Sequence, residues 1–205
     1  MTTIDSIERQ SDVNIYNRTG KKILSVSIVH KYSDDYKDKF EYNEIMDNDT
    51  FSEKSMTVHY RTGIFESGVD WWLVSWTTED GLTYITNPSN ARGVFDYLEG
   101  KAKPILNAIS GFSLGAIFTF PEPTTKVLAA AAFVTSIIAD TFVNDESTAG
   151  FKKHTLTEED EKGEDDEIPN TILITKDKVW FRSKSGNSQV YFTGIVHTNK
   201  PEDDS

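Results

Sequence analysis

Cysteine is absent from the chain. Without thiols there can be no disulfide scaffold, no thiolate nucleophile and no cysteine-built zinc site. Basic residues are also in short supply: 21 Lys and Arg stand against 33 Asp and Glu, a formal charge of −12. A field of that sign repels nucleic acid and anionic lipid surfaces over long range, so no nucleic-acid partner is expected. Apolar content is modest at 37%, yet 12% of the 205 residues are aromatic, which argues against wholesale disorder. The size suits one domain with a substantial core.

Catalytic signatures are missing as well. There is no Gly-x-Ser-x-Gly elbow, no phosphate-cradling glycine loop and no dinucleotide fingerprint. His30, His59, His154 and His197 are scattered, and none has a partner at ligand spacing on a helix. His30 and His59 fall on predicted strands and could approach one another, but a metal centre needs three or four convergent ligands. Paired acids concentrate in Glu158–Glu167, where eight acids and one lysine form a self-repelling loop, too solvated to hold a catalytic geometry. The expectation is therefore no metal, no cofactor and no enzymatic activity. Met1–Asp12 carries neither a basic start nor a continuous apolar run, so no secretory signal is expected. With no cysteine, a cytoplasmic location follows, secretion by another route being left open.

The pattern from Val13 to about Thr86 is that of strands. Val13–Asn17 alternates and meets a turn at Arg18–Lys21 whose Gly20 permits positive φ. In Ile23–Tyr32, Leu24, Val26, Ile28 and His30 make the more apolar face. Met56–Arg61 and Trp71–Thr77 are further strands, and Thr171–Thr175, Val179–Ser183 and Gln189–Val196 form a meander. Between these sets lies a change of period: a short helix after Ser89 or Asn90, then two uncharged runs, Pro104–Pro121 and Val127–Ala139, separated by Glu122–Lys126. Two antiparallel helices joined by a proline turn fit that pattern, the second alanine-rich. The predicted fold is mainly β, an antiparallel β-sandwich of about 7–9 strands with an inserted apolar α-helical hairpin. It forms a single domain over 13–200, with a flexible N-terminus at 1–12 and a tail at 201–205.

Trp71 and Trp72 are adjacent in a strand, so their rings leave opposite faces, with Trp76 on the side of Trp72 if no bulge intervenes. One indole must leave the core, and an exposed ring usually rests on something or binds something. Trp71, Trp72 and Trp76, with Tyr32 and Tyr60 beside them, are the candidate patch for a lipid head group or a glycan. The alternative is that the helical insert covers the outer ring. The apolar runs span only about 27 Å and 20 Å as helices against a hydrocarbon core of about 30 Å, so no constitutive membrane span is expected. The hairpin either packs on the sandwich, is sequestered for release onto membranes, or forms the interface of a protein-interaction module or homo-oligomer.

Several segments carry a resemblance: Val13–Lys21, Val26–Ser33, Tyr60–Gly63, Asp70–Val74 with its Asp-Trp-Trp, Glu146–Lys152 and Lys184–Ser188. Together they resemble the Up-regulated in Daf-two domain family of nematode and fungal proteins, over roughly Val13–Val196, nearly the whole chain. The resemblance implies no activity and no catalytic residue, so it transfers no site. A weaker likeness, resting on strand pattern and the Trp-Trp pair, is to actinoporin-like and aegerolysin-like β-sandwiches. By fold analogy it implies lipid-head or sugar binding in a defence or stress role.

Overall fold

A computed structural model describes residues 6–33, 35–64, 66–87, 125–148, 150–162 and 170–195. The short helix after Ser89, the Pro104–Pro121 arm, the second half of the acidic loop (163–167) and the tail lie outside the described residues.

Two six-stranded sheets face one another. The first is built on β1 (Ile7–Arg18), a long central strand. One edge of β1 takes two short partners end to end, β5 (Met56–Thr62) and β4 (Thr50–Phe51). Its other edge takes β9 (Asn170–Thr175), which continues to β10 (Val179–Ser183) and β11 (Gly186–Val190). The second sheet runs β12 (Phe192–Ile195), β7 (Thr83–Thr86), β6 (Asp70–Thr78), β2 (Ile23–Tyr32), β3 (Tyr36–Tyr42), with β8 (Lys152–Lys153) beside Trp71 and Trp72. Every pairing is antiparallel except β1 with β9, which is parallel, so the first sheet is mixed rather than wholly antiparallel.

Twelve described strands exceed the expected seven to nine because β3, β4 and β8 are short or charge-rich and the last predicted strand breaks at Tyr191. There the chain crosses from one sheet to the other. Residues 7–12, expected to be flexible, are the first half of β1, paired with β5. Their polar inward residues hid them: Arg9 is held by Glu158 and Glu161, and Ser11 accepts a bond from Asn170.

Between the sheets lies the main core, where Val13 and Ile15 of β1 meet Ile28, Trp72, Val74 and Trp76, closed by Ile172, Ile174 and Phe181. On the other face of the second sheet lies α1 (Thr125–Val143), across β2, β3 and β6. All ten residues of β2 are buried, one set by each layer. Its alternation is broken by a bulge between Ile23 and Ser25. Leu24 thereby joins the α1 side with Val127 and Ala131, while Ile23 joins the main core, the reverse of their predicted sides. Small residues line this contact. Ser25 Oγ and Thr135 Oγ1 are 2.7 Å apart, and Ser27 Oγ donates to the Thr135 carbonyl at 2.9 Å, which requires the helix backbone to lie close to the strand. The chain leaving α1 is fastened by buried Lys31, whose Nζ donates to the Asp145 and Ser147 carbonyls and sits 4.5 Å over the Phe151 ring. Burial, with Lys37 adding repulsion, pulls that ammonium down to about 8. Among the described residues no helix is long and apolar enough to cross a membrane.

Candidate functional site

At the end of the sandwich where β1 turns into β2 there is a cavity of about 350 Å³. Its aromatic wall comes from three strands of the second sheet. Trp76 stands on β6, Tyr84 on β7 and Phe192 on β12, each a single residue on a strand that must alternate. Trp76 and Tyr84 are stacked with centroids 5.4 Å apart, and Phe192 meets them edge-on at 4.9 and 5.4 Å. Tyr84 and Phe192 are half-buried and Trp76 is almost wholly so, giving a floor and two sides.

The polar wall comes from two turns that the parallel pairing of β1 with β9 sets side by side, Arg18 opposite Thr175. The first is organised by Asn17, which is buried and fully satisfied. Its Nδ2 donates to the Lys21, Met46 and Asp47 carbonyls, and its Oδ1 accepts from the Thr19 amide and hydroxyl. Gly20 follows with φ +82°, its amide donating to Asn48 Oδ1 at 2.7 Å. In the second turn, Thr175 bonds Asp177 and Lys178, and Lys176 lies across Gly20. A side chain at position 20 would bring its Cβ to 2.7 Å from Lys176 Cε, so only glycine leaves that path clear.

The two lysines of this wall differ electrically. Lys21 is bonded to Asp80, which raises the amine above its usual value. Asp80 is held below the carboxylate range because bonds from Lys21 and Thr78 outweigh the effect of burial. Lys176 has no carboxylate partner among the described residues. The site therefore carries one uncompensated positive charge beside three rings, within a chain whose formal charge is −12.

Of the residues singled out from the sequence, Trp76 alone lines this cavity. Trp71 and Trp72 leave opposite faces as expected, but neither makes a bare patch. Trp72 is 1% exposed, its Nε1 donating to the His154 carbonyl and its ring 4.3 Å from His30. Trp71 is half-buried against the cluster of Phe142, Phe151 and Leu73, so the helical layer shelters the outward indole. Tyr32 and Tyr60 are also core residues, their hydroxyls donating to the carbonyls of Arg61 and Thr157 at 2.9 Å each. Burial pushes both phenols up. The surface patch is thus corrected to a cavity that keeps one tryptophan. Tyr84, Phe192, Gly20 and Lys176 come from segments far apart in sequence, and the only local signal among them was the Gly20 turn.

The strand histidines belong to a separate assembly, fully buried at His30 and Asp70 and partly open at Asp38 and His59. His30 is bonded through Nε2 to Asp70 at 2.7 Å and through Nδ1 to Asp38 at 3.1 Å. Asp38 also takes His59 Nδ1 at 3.1 Å and the His59 amide at 2.9 Å, so the two strand histidines meet through a carboxylate across the two sheets. Burial alone would depress His30, but the two carboxylates outweigh it and hold the imidazole above its usual 6.5. His154 is depressed by burial, and its Nε2 has no hydrogen-bond partner among the described residues. Asp160, read from the sequence as one of the solvated acids, is instead buried and accepts from Ser185 and the Thr157 amide. Among the described residues no three His, Asp or Glu side chains are grouped to hold a metal ion. At the far end of β1 a wider groove of about 590 Å³ is lined by Arg9, Arg61 and Ile64. Its arginines face Glu158, Glu161 and Asp35, and among the described residues no aromatic ring lines it.

Over residues 7–192 the chain matches the family described as Up-Regulated in long-lived daf-2. It belongs to that family. The matched span runs from the first residue of β1 to the first of β12, so every described residue lining the cavity of this Up-Regulated in long-lived daf-2 member falls inside it. No curated protein matches the chain.

Proposed function

We propose that the protein is a non-catalytic binding protein that holds one compact unit, a glycan ring or a lipid head group, in the cavity between Trp76, Tyr84 and Phe192. The observation that carries this reading is the three-ring wall around about 350 Å³, a volume within the range of small-ligand sites. Aromatic faces attract the C–H surfaces of sugars and the methyl groups of cationic heads, and polar groups on one side fix orientation. The titratable residues support a non-catalytic role, because His30 and Asp70 are fully buried and bonded to one another and do not line the cavity of Trp76, Tyr84 and Phe192.

A glycan array, together with flotation on neutral, sphingomyelin-containing and anionic vesicles, tests the reading. At least one sugar or lipid is expected to bind, with Tyr84→Ala and Phe192→Ala each weakening it at least tenfold and Trp71→Phe leaving it unchanged. Absence of binding on every surface, or binding indifferent to Tyr84→Ala, overturns the proposal.

A further inference from the structure

Lys176 gives the cavity a chemical preference. Lys21 is neutralised by Asp80, whereas Lys176 has no ion pair among the described residues. Its side chain passes over Gly20, where a Cβ would stand 2.7 Å from Lys176 Cε and the backbone φ of +82° disfavours any other residue. Gly20 is fixed in turn by Asn48 and by the Asn17 network. The Lys176 side chain is exposed and crosses Gly20 at the rim of the cavity, beside the rings. An ammonium without a counterion, adjoining a partly enclosed aromatic wall, complements a group of opposite charge attached to an apolar or ring-bearing body. On these grounds we propose that the ligand of this cavity carries an anionic group, a phosphate, sulfate or carboxylate, that is seated on Lys176 while its body rests on Trp76, Tyr84 and Phe192. The inference rests on the binding reading above and adds the ligand's charge and the residue that recognises it.

The test uses the full chain labelled with ¹⁵N and two soluble probes that share a ring, phenyl phosphate and the neutral phenyl β-glucoside. Phenyl phosphate is expected to shift the Trp76 indole N–H and the Gly20 and Lys176 amides, and to bind more tightly than the glucoside. Lys176→Gln should weaken phenyl phosphate about tenfold, the scale of one charge-assisted hydrogen bond, and leave the glucoside within about twofold. Gly20→Ala should reproduce the loss by displacing Lys176, while Lys176→Arg should retain binding. A separate arm with phosphatidylcholine vesicles containing phosphatidic acid tells the sources apart: flotation that Lys176→Gln abolishes assigns the anion to a lipid head, and phenyl phosphate binding without flotation assigns it to a soluble ligand. Both outcomes support the inference. Glucoside binding that matches phenyl phosphate, or phenyl phosphate binding unchanged in Lys176→Gln, overturns it and leaves the cavity reading intact. If neither probe moves the Trp76 or Tyr84 signals, both readings fall.

Discussion

His30 shows how a charge can sit in the centre of a small protein. Each ring nitrogen faces a carboxylate, and Asp38 and Asp70 each accept a further backbone bond, from His59 and Leu156, so no lone pair aimed inward is abandoned. Removing the cation would leave the buried Asp70 carboxylate and the partly buried Asp38 carboxylate facing an empty site, and His30→Gln should cost on the order of 3 kcal/mol. The pH dependence has a definite sign. Because the folded value of His30 is raised, its contribution is fully present below pH 6.5 and is lost as pH climbs through the higher folded value. His154 is depressed, so its contribution is present above pH 6.5 and is lost as pH falls below it. Urea midpoints measured from pH 5.5 to 8.5 should pass through a maximum near 6.5. His30→Gln should flatten the alkaline limb and His154→Gln the acid limb. A wild-type profile that rises steadily to pH 8.5 would contradict this assignment of the buried proton.

At the scale of elements, the sequence was most legible where alternation is clean. The bounds of β2 and β10 are those the pattern predicts, β5 runs one residue further at its C-terminal end, and β6 one residue further at each end. Where a buried polar residue replaces an apolar one, the signal fails. In β3 the inward row Tyr36, Asp38, Phe40, Tyr42 is interrupted by Asp38, whose value lies in binding His30 and His59 rather than in packing. The bulge at Leu24 was illegible for another reason: parity is a local rule, and only the helix laid across β2 gives Leu24 and Ser25 a common side. The alanines of α1 were read as helix formers, and their second role is steric. Ala131 is fully buried next to Leu24, in a contact close enough for Ser27 to reach a helix carbonyl. Ala131→Leu should therefore lower stability by about 1–3 kcal/mol through overpacking, although leucine is nearly as good a helix former. Ala129→Leu, on the exposed side, should change it by less than about 0.5 kcal/mol. Equal midpoints for the two variants in thermal melts would show that the helix does not dock as tightly as its hydrogen bonds imply.

For the molecule as a whole, the C-terminal strands close both sheets and build the cavity in one act. β9 lies between β1 and β10, so without it the inward row of β1 loses Ile172 and Ile174. β12 supplies Phe192 and completes the edge beside β7. The candidate site is an assembly of two turns and three strand residues brought together by this closure, which is why it carried no spacing motif and why only Trp76 was nameable in advance. Closure also joins distant sequence: Val13 pairs with Asn170, and the loop between them has to be organised before the pairing returns any energy. A chain ending at Pro169 should accordingly show no cooperative melt and no near-ultraviolet dichroism from Trp72 and Trp76, because four strands are missing and the core is open on one side. Adding residues 170–195 as a separate peptide should restore both signals in a saturable titration, since β9 to β12 form one continuous run that docks against β1 and β7. If the shortened chain instead melts cooperatively with its tryptophans still immobilised, the first eight strands and the helix are a self-sufficient unit. The cavity would then be an addition to a finished fold rather than the place where the fold is finished.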